Sequence, residues 1–162
     1  MRPLYIKEAC SAIISLMKTL ADNAKARFNF EVLERFTAGL ELAGHEVKAV
    51  RNGKMSLTGS YVVIRGEEAF LTGADIAPYQ PKNTPSNYDS RRPRKLLLSK
   101  AELLTLEKAE GTKGLTIVPL SVYNKGRFLK LDLAIARGKK KFDKRESIKK
   151  RDTERDIGRS LK

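Results

Sequence analysis

Between Phe28 and Leu42 the stretch FNFEVLERFTAGLEL puts an apolar side chain at Phe28, Phe30, Val32, Phe36, Ala38, Leu40 and Leu42, with Glu34 alone breaking the series. Side chains of a strand alternate between its two faces, so a period of two over this length predicts one long strand with one face on a core. Gly39 inside it permits the bend or bulge that a curved sheet requires. A helix of the same residues would spread its apolar groups around the whole circumference. The stretch therefore commits the chain to a β-based fold.

The neighbouring segments fit that commitment. GHEVKAVRNGK closes on the turn signal Asn52-Gly53, and the spacing of Val47 and Val50 suits a helical turn. SYVVIRGEEAFLTGADI reads as a hairpin around Arg65-Gly66-Glu67, and LTIVPLSVY with RFLKLDLAIAR as a second around Asn124-Lys125-Gly126. APYQPKNTPSNYDSRRPR, rich in Pro, Asn and Ser, is an excursion. RKLLLSKAELLTLEKAEG carries the one convincing helix: Ser99 and Glu102 form a capping box, Gly111 closes it, and Leu97, Leu103, Leu104 and Leu106 are expected on the core. The order is long strand, two strands, helix, two strands. The expected class is mainly β (α+β), an OB-like Greek-key barrel with a helix between strands 3 and 4 and a basic C-terminal tail, disordered or helical. The expected division is an N-terminal extension over residues 1–21, a barrel over 22–137 and a tail over 138–162.

Charge narrows the function. Thirty-three Lys and Arg against 19 Asp and Glu leave a formal charge of +14, a field that favours polyanions. No apolar run approaches the ~18 residues of a membrane span. The early run around IKEACSAIISLM is interrupted by Glu8 and closed by Lys18, so it reads as a short amphipathic helix rather than a secretion signal. Met17 offers an alternative start, which would make residues 1–16 an extension. The single Cys10 excludes an internal disulfide and a cysteine-cluster metal site. A cytoplasmic monomer is the expectation.

Catalytic chemistry has little support. His45 is the only histidine, RNGKMSLTGS lacks the spacing of a phosphate-cradling loop, and Asp75 and Asp89 stand in loops without a partner in sequence. Neither an enzyme nor a cofactor is expected, although a two-carboxylate nuclease site remains an alternative. Basic residues instead cluster in NAKAR, EVKAVRNGK and RRPRK, which would form a phosphate-binding surface if they share one side of the barrel. Tyr61, Tyr79 and Tyr88 are candidates for base stacking, though single tyrosines are more often structural. Residues 136–152, ARGKKKFDKRESIKKRD, hold nine Lys or Arg against three acids. Too few apolar side chains follow Gly138 to pack a helix, yet pairs such as Glu146 with Lys149 and Lys150 favour one. Disorder when free and a helix along a polyanion is the expected behaviour.

These segments, from NAKARFNF through AGLELAGHEVKAVRNGK and RRPRKLLLSKAELLTLE to LAIARGKKKFDKRESIKKRD, resemble the SmpB (SsrA-binding) protein family in order and spacing over about residues 22–155. The resemblance implies a barrel that binds the tRNA-like domain of tmRNA and brings it to bacterial ribosomes stalled without a stop codon. The basic tail would enter the decoding centre and the empty mRNA channel. Its tmRNA-facing residues would be Asn23, Lys25, Arg27, Phe30, Thr37, Lys48, Arg51, Lys54, Arg94, Lys95 and Leu97. Its ribosome-contacting tail would comprise Gly138, Lys139, Lys140, Lys141, Phe142, Asp143, Lys144, Arg145, Lys149, Lys150 and Arg151. Three positions depart from the family pattern: Thr37 where an acid is usual, Phe30 where Tyr is common, and Ser99 where Asn is frequent. A general RNA chaperone or ribosomal protein of OB type is the alternative.

Overall fold

The structure is a computed structural model that describes residues 19–140 and Thr153. Its strands are β1 (Thr19–Asp22), β2 (Phe30–Leu40), β3 (Met55–Ser56), β4 (Tyr61–Arg65), β5 (Glu68–Thr72), β6 (Asp75–Ile76), β7 (Arg94–Leu97), β8 (Leu115–Lys125) and β9 (Phe128–Gly138). Helices α1 (Ala24–Asn29), α2 (Gly44–Arg51) and α3 (Lys100–Glu110) lie between them. Seven strands form one antiparallel sheet in the order β1-β8-β9-β2-β7-β5-β4, and β3 pairs with β6 apart from it. The sheet curls until β4 lies against β8, and Leu57, Leu71, Leu96, Ile117, Leu131 and Leu133 fill the interior of this barrel-like arrangement. Helix α3 falls between β7 and β8 and sends Leu106 and Ala109 into the same core.

The predicted long strand is β2, but its even residues do not share one face. Val32 pairs with Ala136 while Glu34 pairs with Ile135, so one extra β2 residue is accommodated between them. A bulge of this kind flips the side chains that precede it. Phe36 and Ala38 therefore pack into the main core, whereas Phe30 and Val32 pack with Ala26, Val118, Leu120, Ala134 and Ala136 in a second cluster. Phe28 is not in the strand at all; it belongs to α1, the short helix whose Ala26 joins that second cluster.

Three further expectations are corrected. Thr19 to Asp22 form β1, paired with β8, so the folded sheet starts three residues before the expected boundary at residue 22. Arg94–Leu97 is strand β7 between β2 and β5, and the helix begins only at Lys100 after the Ser99–Glu102 capping box. Consequently Leu97 and Leu104 are exposed, while Leu103 and Leu106 pack inward as expected. Both hairpins form where the turn residues place them, with Gly66 and Gly126 at positive φ as the first of two loop residues. At the other end of the chain, Gly138 still pairs with Phe30 and the Lys139 amide donates to the Asn29 carbonyl at 2.9 Å. Those two residues, expected in the tail, remain tied to the start of β2 and the end of α1. The expected tail residues Lys141 to Arg151 and residues 1–18 of the expected extension lie outside the described residues.

Candidate nucleic-acid interface

Two of the expected contact residues are interior. Asn23, 3% exposed, caps α1 by accepting from the Ala26 amide and donates to the carbonyls of Leu57 and Pro119, each at 3.0 Å. It joins β1, α1, β8 and the loop before β4, so its amide group is fully used by the fold. Arg94 is 0% exposed. Its guanidinium donates to Glu46 Oε1 at 2.9 Å and 3.0 Å and to the carbonyls of Ala74, Ser90 and Arg92. Five donors in a planar fork are what such a convergence of acceptors requires. Neither side chain is presented to a phosphate.

Glu46 is the centre of this network. It also accepts from Arg92 and, at 2.9 Å, from the Ala43 amide at the start of α2. Burial alone would raise its pKa, but Arg92, the Ala43 amide and Arg94 outweigh that and hold the carboxyl below its ordinary value. Tyr88 buttresses the same region: its hydroxyl donates to the Ile76 carbonyl at 2.7 Å and its ring meets His45 edge-on at 5.1 Å. His45 is thus a packing residue. The RRPRK cluster is largely neutralised, because Arg92 and Arg94 share Glu46, Lys95 pairs with Glu68 and Arg91 lies 3.9 Å from Asp75.

A group of cations without such partners stands at the end of α2. Helix α2 ends on Lys48 and Arg51, one turn apart on one face. Gly53, at φ +73°, then turns the chain so that Lys54 follows beside them. Lys54 Nζ donates to the carbonyls of Pro78 and Tyr79 and lies 6.0 Å from the Tyr79 ring centre. Arg51 donates to the Arg127 carbonyl at 3.0 Å, which brings the β8–β9 turn alongside. Lys48, Arg51, Lys54 and Arg127 have no carboxylate within ion-pair distance among the described residues. Beside Arg127, Phe128 is 70% exposed. Arg127 and Phe128 were missed in the sequence because they follow a turn glycine at a hairpin tip and belong to no basic run.

A second surface follows from the strand register. Arg35, Thr37 and Gly39 of β2 lie opposite Ala134, Asp132 and Lys130 of β9, on the face away from the main core. Lys95 and exposed Leu97 continue it on β7, Leu97 lying directly over Gly39, where a methyl in place of a glycine hydrogen would approach the Leu97 Cβ to 3.2 Å. Thr37 Oγ1 donates to Asp132 Oδ1 at 3.0 Å. Burial raises the Asp132 pKa, opposed by the Thr37 hydrogen bond, the charges of Arg35 and Arg27, and Tyr123. Arg27 is half exposed and paired with Asp22 at 2.9 Å. Lys25 and Phe30 line a separate recess of about 330 Å³ with Asn29 and Tyr61, next to where β9 ends.

The family model described as SmpB protein matches residues 20–162. The chain belongs to the SmpB family. Among curated relatives, the SsrA-binding protein of Chloroflexus aggregans is 48% identical over 143 residues, covering 88% of this chain and 90% of that one. The SsrA-binding protein of Microcystis aeruginosa is 45% identical over 146 residues, covering 90% and 95%. A solved chain described as "tmRNA-SmpB: a journey to the center of the bacterial ribosome" superposes with a TM-score of 0.63 at 43% identity, covering 78% of this chain and 92% of that chain. Of the residues expected to face RNA, Lys48, Arg51, Lys54, Lys95 and Leu97 reach the surface, and Asn23 and Arg94 are buried.

Proposed function

We infer that this protein binds the tRNA-like domain of a tmRNA and delivers it to stalled bacterial ribosomes for trans-translation, its basic tail occupying the decoding centre and the empty mRNA channel. Family membership supports the class of partner, and the relatives bear the name of SsrA-binding proteins. The observation that carries the reading on this chain is the set Lys48, Arg51, Lys54 and Arg127. Cations left without carboxylates on a rigid helix end and hairpin turn are available to phosphates, and each phosphate contact releases counterions. Lys25, Arg27, Thr37, Lys95 and Leu97 extend the RNA-facing surface, and Phe128 offers a stacking face. The protein acts as a non-catalytic cytoplasmic adaptor and works as a monomer, with tmRNA and the small-subunit decoding centre as its partners.

The test is affinity for the isolated tRNA-like domain against an ordinary tRNA at near-physiological salt. The expected preference is at least about tenfold, or about 1.4 kcal/mol. Equal affinities would mean that RNA sees only the charge, and a general RNA binder would replace this reading.

A further inference from the structure

We propose that Asp132 positions Thr37 as a dedicated hydrogen-bond acceptor on the RNA-facing surface, and that Thr37 thereby reads a donor group of the bound RNA. The inference rests on the functional reading above and adds a specificity-determining pair to it. The two residues are direct cross-strand partners in the β2–β9 ladder, with Thr37 exposed and Asp132 6% exposed beneath it. A carboxylate accepts only, so the proton in their 3.0 Å bond is the threonine's. A hydroxyl whose proton is committed to a buried carboxylate turns its lone pairs outward and is polarised as an acceptor.

The surroundings give that acceptor meaning. Along the same face its strand neighbours Arg35 and, across the ladder, Lys130 are donors with no accepting atom. Such donors suit phosphate oxygens, which every RNA presents alike and which carry no sequence information. An acceptor among them suits what phosphates lack: an N–H of a base edge or the hydroxyl of a ribose. Asp132 supplies a negative charge to this spot from the neighbouring strand. Its charge is shielded below the surface, so phosphates beside Arg35 and Lys130 are not repelled at contact distance.

The pair is tested in the full-length protein with the tRNA-like domain of tmRNA and, in parallel, an ordinary tRNA. Thr37→Val keeps the shape and β-branching but removes the hydroxyl, whereas Thr37→Ser keeps the hydroxyl. Thr37→Val is expected to weaken binding to the tRNA-like domain about five- to tenfold with the salt dependence unchanged, and Thr37→Ser to bind within about twofold of the native protein. Asp132→Asn should weaken binding about threefold in the native background and not at all in the Thr37→Val background, because it acts through the hydroxyl. Equal binding by Thr37→Val overturns the proposal, and an Asp132→Asn loss of the same size in both backgrounds overturns the positioning role. A native protein that fails to prefer the tRNA-like domain would instead remove the functional reading. Single 2′-deoxy substitutions in the tRNA-like domain separate the two donor sources: one that weakens the native protein and leaves Thr37→Val unaffected identifies a ribose hydroxyl, and none doing so identifies a base edge.

Discussion

Glu46 shows how one side chain decides which of its neighbours are available for function. It is fully buried with Arg94, and Arg92 closes over it at 2.5 Å. Removing one partner of a buried ion pair leaves an uncompensated charge, which costs about 3–5 kcal/mol. Glu46→Gln is therefore expected to lower unfolding free energy by about that amount in urea titrations at pH 7. A loss below about 1 kcal/mol would mean that the network is dispensable. The pH dependence has a definite sign. The folded pKa of Glu46 lies below its ordinary 4.5, so its stabilisation is present above the unfolded value and is lost as pH falls through the folded one. Native and Glu46→Gln stabilities should converge in that acid range. Asp132 has the opposite sign, because burial raises its pKa and protonation favours the folded state. The sequence named Arg94 as a basic surface residue because its partner is 48 positions away. Neither composition nor local spacing reveals that Glu46 claims it, whereas the exposure of Lys48, Arg51 and Lys54, on a helix end and a glycine turn, follows from local pattern alone.

At the scale of elements, signals confined to a few adjacent residues were read correctly. The Ser99–Glu102 capping box and the glycine turns of both hairpins depend on backbone conformations that only those residues favour, and they form as expected. What failed depends on pairing between strands distant in sequence. The β2 bulge adds a residue without altering the alternation, so its two apolar halves reach different clusters. Strand β7 is four residues of RKLL running straight into a capped helix, and only its ladders with β2 and β5 distinguish it from the first turn. The β8–β9 hairpin supplies a prediction of its own. Phe128, exposed at its tip beside Arg127, makes no contribution to the main core cluster. Phe128→Ala is expected to change stability by no more than about 0.5 kcal/mol. If the ring stacks on a base, the same change should weaken tRNA-like-domain binding by about 1–3 kcal/mol. Unaltered RNA affinity, measured by filter binding on the folded variant, would take the hairpin tip out of the interface.

For the whole molecule, the decisive relation is between the rigid sheet and the basic segment that leaves it. The chain carries +14 overall, yet the sheet spends several of its cations on structure: Arg92 and Arg94 on Glu46, Lys95 on Glu68, Arg27 on Asp22. Lys48, Arg51, Lys54 and Arg127, set on a helix end and a hairpin turn, hold their charges in a fixed arrangement, which suits recognition of a folded RNA. Residues 141–151, KFDKRESIKKR, hold six Lys and Arg against two acids and very few apolar groups. Such a composition concentrates positive charge and offers almost nothing to bury in a core. The two parts should therefore separate functionally at Lys140, just after the bonds from Lys139 to α1. A variant ending at Lys140 keeps every described contact of the sheet, and it is expected to bind the tRNA-like domain within about threefold of the full chain, because most of the tail's charge is unspecific and screened over about 8 Å at physiological salt. In a reconstituted translation system with ribosomes stalled on truncated mRNA, the same variant should fail to support peptide tagging. Tagging at the normal rate would contradict a role for the tail in the decoding centre. Loss of RNA binding together with tagging would instead place recognition of the tRNA-like domain in the tail, and the surface built from α2, β2 and the β8–β9 turn would then be the accessory one.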